Sequence, residues 1–231
     1  MIAVTSGTSP ANRSGMARQY EAKADAYFAG ARRDFLAELP INPKARILEI
    51  GCGSGDTGAL ALKGARAGTY VGIDINPRAA EKARHVLSEV HAGDIERMDL
   101  AWAPASFDAV ILSEVLEHLV EPWAVVARLA ALTKPGGLML ASSPNVAHYH
   151  VIASLLRGRF ELADQGTFDR THIRWFTPAS YAGMFTRAGL RVEVVKPLTP
   201  FAARTRWLSK VSAGRIDHLF MRQIWLKAVK P

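Results

Sequence analysis

The chain has 231 residues, about half of them hydrophobic, with a formal charge of +8 and a pI near 9.9. That size suits one domain with at most a modest insertion, and a core that needs no staples. A single cysteine, Cys52, excludes an intramolecular disulfide and a cysteine-built metal cluster. No apolar run reaches the roughly 20 residues of a membrane helix, and Met1–Arg13 lacks the start of a secretory signal, so a soluble, cytoplasmic protein is expected.

Residues 1–15 are small and polar and read as a flexible tail ahead of a domain spanning 16–231. From Met16 to Leu39, Tyr20, Ala24, Tyr27, Phe28, Ala31, Phe35 and Leu39 recur at three- and four-residue steps. This predicts an N-terminal helix over 16–39, weakened at Gly30 and stopped by Pro40 and Pro43. Strands and helices then alternate. The pattern predicts strand Arg46–Ile50, helix Thr57–Gly64, strand Thr69–Ile73 and a helix opened by Asn76-Pro77 that runs to about Glu89. A short strand near Val90–Ala92, a strand Phe107–Leu112, a helix Pro122–Leu132 and a fifth strand Leu138–Ser142 after the Lys134–Gly137 turn complete it. Such alternation implies a parallel sheet covered on both faces. Regularity lapses over about 145–177, an insertion after strand five. A helix Pro178–Ala188 and strands Arg191–Val195 and Gln223–Val229 follow, the last with the mixed polarity of an edge or antiparallel strand.

Between the first strand and helix lies Glu49-Ile50-Gly51-Cys52-Gly53-Ser54-Gly55. Glycines let a ligand approach the backbone closely. A dinucleotide fingerprint would place glycine at 56, where this chain has Asp56. An acid beside the loop suits a cationic ligand such as S-adenosylmethionine (SAM), with its amino group and sulfonium, better than a pyrophosphate. Asp74 ends the second strand, where a carboxylate can take both ribose hydroxyls. Asp94 and Ile95 follow the third strand and would hold and cover the adenine. Cys52 reads as a small side chain tolerated within the loop.

These residues, with Gly72-Ile73-Asp74-Ile75, Phe107-Asp108-Ala109-Val110 and Lys134-Pro135-Gly136-Gly137, occur in an order that resembles the class I SAM-dependent methyltransferases. The resemblance implies a Rossmann-like α/β fold with a seven-stranded, mostly parallel sheet, the last strand antiparallel and helices on both faces. It also implies SAM as cofactor, held by Glu49, Gly51, Cys52, Gly53, Gly55, Asp74, Ile75, Asp94, Ile95 and Ser113.

Methyl transfer from SAM is a direct displacement, so the acceptor must be aligned and, for an aliphatic hydroxyl, deprotonated. After the fourth strand come Ser113-Glu114-Val115-Leu116-Glu117-His118. A helical turn starting there would set Glu114, Glu117 and His118 on one face at the carboxyl end of the sheet. The same residues could equally cap a helix and touch the cofactor. With Asp169-Arg170-Thr171-His172 downstream, the arrangement is similar to ubiquinone-pathway O-methyltransferases and small-RNA terminal 2′-O-methyltransferases. That similarity implies a divalent cation such as Mg²⁺ on Glu114, Glu117, His118 and His172. Without a metal, His118 or His172 would be the general base.

Ser143 to Phe160 and Asp169 to His172 also look like bacterial methyltransferases of glycan and cell-surface polysaccharide synthesis, which suggests a small-molecule or glycan-like hydroxyl acceptor. The insertion is then an acceptor lid. Tyr149, Phe160, Phe168, Trp175 and Phe176 would stack on the acceptor or pack the lid itself, and Arg157, Arg159, Arg170 and Arg174 would read a phosphate. Basic residues are scattered, which reads first as a solvated surface. An RNA acceptor fits the charge but lacks a separate RNA-binding module. A non-catalytic SAM-binding subunit would more often have lost the loop glycines or Asp74.

Overall fold

A computed structural model describes residues 30–231. The predicted tail and the part of the 16–39 helix before Gly30 lie outside the described residues. Of the remainder only α1, Arg33–Leu36, is helical, and Gly30 has a φ of +125°. The rest runs β1 Arg46–Ile50, α2 Asp56–Lys63, β2 Thr69–Asp74, α3 Pro77–Ala83, β3 Glu89–Ala92 and β4 Phe107–Ser113. A 3₁₀ turn Leu116–His118 leads to α4 Pro122–Leu132, β5 Thr133–Pro144 and α5 Tyr149–Leu156. Then come α6 Pro178–Arg187, β6 Arg191–Pro197, α7 Ala203–Val211, α8 Asp217–Phe220 and β7 Gln223–Val229.

The strands form one seven-stranded sheet in the order β3-β2-β1-β4-β5-β7-β6. All neighbours are parallel except β7, which runs antiparallel to both β5 and β6. The last strand is therefore antiparallel as expected but interior, and β6 takes the edge. Alternate residues face opposite sides, as a doubly covered sheet requires. Leu48 and Ile50 of β1, with Val110 and Leu112 of β4, join a core beneath α4 and α6. Ile47, Ala109 and Ile111 join a second core with Phe35, Leu36 and Trp225.

Local chemistry sets the helix starts. Asn76 caps α3 by accepting from the Arg78 amide at 2.9 Å, with Pro77 in the first turn. Thr177 and Ser180 form a reciprocal capping box on α6, again with proline following the cap. α3 stops at Ala83, short of the predicted Glu89. The Lys134–Gly137 turn is a bulge inside β5 rather than a lead-in to it, marked by the register shift opposite Phe107 and Ala109. There Lys134 Nζ pairs with Asp108 at 2.8 Å, at the end of the sheet away from the glycine loop. α7 and α8, between the last two strands, have no counterpart in the predicted elements.

β1 and β4 leave the sheet centre with crossovers to opposite sides. The crevice beyond their carboxyl ends is where open α/β sheets bind ligands.

Candidate active site

At that crevice lies a cavity of about 1070 Å³. The glycine loop forms one wall. Gly51, Gly53 and Gly55 have φ of +73°, +55° and +86°, in the left-handed region that only glycine enters freely. A Cβ on Gly51 would also come within 2.7 Å of Val115 Cγ2. The Gly51 and Cys52 amides both donate to the Ile73 carbonyl, at 2.8 and 3.1 Å, which ties the loop to the end of β2. Asp74 completes the tie. Its Oδ2 accepts from the Gly53 amide and its Oδ1 from the Asn76 amide, each at 2.8 Å. Burial raises the Asp74 carboxyl above its ordinary value, against the pull of those two amides.

Glu49 is 2% exposed, and Tyr70 donates its hydroxyl to Oε2 at 2.9 Å. Burial first, and then the charge of Asp74, push its carboxyl up to about 8; Tyr70, Arg32 and Thr57 work the other way. Cys52 is buried and its thiol is raised, mainly by burial and then by Asp74 and Glu49. It is an unreactive filler packed over Gly72, where a Cβ would come within 2.6 Å of Sγ. Ile75, Asp94, Ile95 and Ser113 line the same cavity. Asp94 accepts from the Glu96 amide at 3.0 Å and lies 3.6 Å from Arg97. Of the ten residues expected around the cofactor, only Gly55 is absent from the lining; it turns the loop over Ala83, Val86 and Leu87.

The opposite wall carries the acid–histidine cluster, built differently from the expected helical face. Glu114 is no helix residue. It has a φ of +53° and hydrogen-bonds by its amide to the Ser142 carbonyl at 3.2 Å. Its Oε2 accepts from Gln223 Nε2 at 3.2 Å, while Oε1 is buried without a hydrogen bond. Glu117 and His118 follow in the 3₁₀ turn. Glu117 is 1% exposed, and neither carboxylate oxygen has a partner in good hydrogen-bonding geometry. Burial, then the charge of Glu114, raise its carboxyl well above the ordinary range; the Ser143 hydroxyl and Arg32 oppose this.

His172 arrives from the insertion. Its Nδ1 lies 3.1 Å from the Thr167 carbonyl, as His118 Nδ1 does from the Thr171 carbonyl. A carbonyl only accepts, so each neutral ring carries its proton on Nδ1 and turns an Nε2 lone pair elsewhere. The two rings sit 4.7 Å apart at 62°. Glu117, His118 and His172 can each bring one ligand atom within 4.8 Å of the others. Glu114 is not part of that trio.

The match to known proteins follows this geometry. A family model described as "Methyltransferase domain" covers residues 17–195. The chain belongs to the class I SAM-dependent methyltransferases. Over 161 residues it is 34% identical to the ubiquinone biosynthesis O-methyltransferase of Thiobacillus denitrificans, covering 67% of this chain and 68% of the relative. The Xylella fastidiosa protein of the same name is 32% identical over 193 residues, 76% and 73% of the two chains. A SAM-dependent methyltransferase from Archaeoglobus fulgidus shares the fold with a TM-score of 0.63 at 18% identity, over 89% of this chain and 97% of that one. The chain is thus a SAM-dependent methyltransferase.

In the insertion of the methyltransferase, of which α5 is the helical part, the structure decides between the two readings of the aromatics. None of Tyr149, Phe160, Phe168, Trp175 and Phe176 lines the cavity. They pack against their surroundings instead: Phe160 lies edge-on to Phe168 at 5.0 Å and to Trp175 at 5.5 Å, Phe176 meets Tyr181 at 5.2 Å and Tyr149 meets His150 at 4.2 Å. The expected phosphate readers also point elsewhere. Arg157 donates to the Ala153 carbonyl, Arg170 pairs with Asp164, Arg174 bonds the Val120 carbonyl, and these and Arg159 lie off the cavity. The insertion reaches the cavity through Gly166, Thr167, Asp169 and His172.

Arg32 is the residue that sequence reasoning passed over. It grips Asp34 through Nε at 2.9 Å and Nη2 at 2.7 Å and bonds the hydroxyls of Ser113 and Ser142, so it bridges the N-terminal segment to β4 and β5 on the cavity wall. Its position at the edge of a helical pattern gave no signal. Gln223, the first residue of β7, and Arg222 just before it were also missed, because a strand end of mixed polarity gives no sign of facing a cavity.

Proposed function

We propose that this methyltransferase transfers the methyl group of SAM to a hydroxyl of a small-molecule acceptor, with a divalent cation such as Mg²⁺ or Mn²⁺ held by Glu117, His118 and His172. The observation that carries the reading is Glu117. A buried carboxyl group with neither oxygen in good hydrogen-bonding geometry is costly to ionise, and a cation shared with two Nε2 lone pairs relieves that cost. The donor set of one carboxylate and two imidazoles suits such ions, and the Nδ1–carbonyl contacts are the outer bonds that orient metal-bound histidines. The similarity to ubiquinone biosynthesis O-methyltransferases supports a hydroxyl acceptor.

In this reading Asp74 takes the ribose hydroxyls, with its carboxylate fixed by the Gly53 and Asn76 amides. Glu49 faces the cofactor's positive charge. Asp94 and Ile95 hold and cover the adenine. The cation, when bound, lowers the pKa of the acceptor hydroxyl. The acceptor oxygen then attacks the methyl carbon. The C–O bond forms as the C–S bond breaks, and its electron pair returns to sulfur to give the neutral thioether. Glu114, on the cavity wall with one unbonded oxygen, takes the acceptor's proton. The lid arginines and aromatics lie off the cavity, so the case for a phosphorylated or sugar-stacking acceptor no longer rests on them.

The test is Mn²⁺ binding by calorimetry on chelator-treated protein, beside turnover. One Mn²⁺ per chain is expected to bind, and Glu117→Gln or His172→Ala to abolish binding while SAM binding persists. Full turnover after chelation with no Mn²⁺ bound would overturn the cation. If His172→Ala still removed turnover under those conditions, His172 would be the base instead.

A further inference from the structure

Among the described residues three arginines line the cavity, and two have partners. Arg32 is held by Asp34, Ser113 and Ser142, and Arg97 lies 3.6 Å from Asp94 at the adenine end. Arg222 is exposed to the cavity and, among the described residues, makes no ion pair and no side-chain hydrogen bond. We propose that Arg222, with Thr199 opposite it, forms an oxyanion subsite that selects acceptors bearing a carboxylate or phosphate group. This rests on reading the cavity as the site of methyl transfer.

The backbone fixes where Arg222 leaves the sheet. β6 and β7 pair as far as Pro197 and Ile224, and the Leu198 amide adds one further bond to the Gln223 carbonyl at 3.1 Å. Continuing that register sets Thr199 across from Arg222, and both line the cavity. The Arg222 carbonyl accepts from the Asn145 amide at 3.1 Å, anchoring the residue to the end of β5. Its neighbour Gln223 reaches Glu114. Arg222 therefore belongs to the acid–histidine end of the cavity and not to the glycine loop. Its charge also bears on His148 on the adjoining turn, held below the usual histidine value by burial, then His150, then Arg222. A guanidinium that finds no counter-ion among the described residues, one residue from Gln223 and its partner Glu114, is a fork suited to an oxyanion. An anionic substituent anchored there would leave a hydroxyl on the same molecule free to point into the cavity.

The experiment is calorimetric binding to protein saturated with S-adenosylhomocysteine. The probes are 3,4-dihydroxybenzoate, 3,4-dihydroxyphenyl phosphate, inorganic phosphate and the neutral 3,4-dihydroxybenzamide. At least one anionic probe is expected to bind about tenfold tighter than the amide, a preference that weakens with salt because the site is open to solvent. Which ring compound binds better separates a carboxylate from a phosphate. Arg222→Gln should erase the preference, and Arg222→Lys should keep part of it. Arg159→Gln, a charge removed elsewhere on the surface, should leave it unchanged. The proposal fails if the wild-type protein shows no preference, or binds no anion. It also fails if Arg159→Gln has the same effect as Arg222→Gln, or if Arg222→Gln weakens SAM binding, which would assign Arg222 to the cofactor's own carboxylate. Turnover is not measured, so an anion preference in a protein that transfers no methyl group would count only against hydroxyl methylation.

Discussion

Glu49 allows the cofactor site to be tested without knowing the acceptor. Its carboxyl is pushed from 4.5 to about 8 by burial and by Asp74. In the ligand-free protein Glu49 is therefore mostly protonated at neutral pH. If the carboxylate is the form that binds SAM, only the ionised fraction is competent, about one tenth at pH 7 and about one hundredth at pH 6. The Kd for SAM should tighten about tenfold from pH 6 to pH 7, with close to one proton released per SAM bound near pH 6. Calorimetry in buffers of different ionisation heat measures both, below the range where the cofactor's own amine titrates. Glu49→Gln should flatten the profile. Stability carries the same signature. An acid whose pKa is raised by folding contributes stability that is complete below its unfolded value of 4.5 and is lost as pH rises through 8. At 1.36 kcal/mol for each tenfold, the loss is at most about 5 kcal/mol, and Glu49→Gln should remove that slope from denaturant titrations. A SAM affinity that stays constant between pH 6 and pH 7.5, in both proteins, would refute the reasoning.

Two further substitutions test the loop. Asp74→Asn turns an amide donor toward the Gly53 or Asn76 amide, which both donate to it now; SAM binding is expected to weaken by about tenfold to a hundredfold in a titration. Gly72→Ala puts a Cβ 2.6 Å from Cys52 Sγ and 2.8 Å from Leu87 Cδ1, and should cost about 1–3 kcal/mol in a denaturant melt. In a Cys52→Ala background the cost should shrink, and an equal cost in both would mean that the Cys52 contact is not what keeps position 72 a glycine.

The parallel half of the sheet was readable because its inner strands β1, β2 and β4 are buried on both faces and each turn carries its own chemistry, as at Asn76-Pro77. The glycine-loop wall of the cavity was readable for a related reason: Glu49, the glycines, Asp74 and Asp94 each stand at a fixed place relative to a strand end. Elements whose form depends on distant partners were not readable. α3 stops at Ala83 because β3 must begin at Glu89 to pair with Val71. The exposed α7 buries no residue, although Ala203, Trp207, Leu208 and Val211 share one side of it. Glu114 looked like the first residue of a helix by spacing, but the Ser142 carbonyl across the sheet holds it at positive φ. The lid aromatics were ambiguous in principle, since stacking on an acceptor and packing on one another need the same side chains.

Why two histidines 54 positions apart meet is decided by backbone, and this bears on how the site can be probed. The Ile173 and Arg174 amides both donate to the Glu117 carbonyl, at 2.9 and 3.0 Å, and the His172 amide donates to the Asp169 carbonyl at 2.9 Å. Asp169 in turn accepts from the Thr171 amide at 2.9 Å and from its hydroxyl at 2.7 Å. These bonds clasp the 169–174 segment to the 3₁₀ turn, and His118 Nδ1 adds a contact to the Thr171 carbonyl at 3.1 Å; the His172 ring takes no part in them. Removing the imidazole of His172 costs its contact with the Thr167 carbonyl and leaves the clasp intact. Loss of Mn²⁺ binding in His172→Ala therefore reports on the ring itself. The same clasp means that the insertion cannot swing away from the cavity without separating Glu117 and His118 from His172, so an acceptor enters a site whose acid–histidine cluster is already assembled.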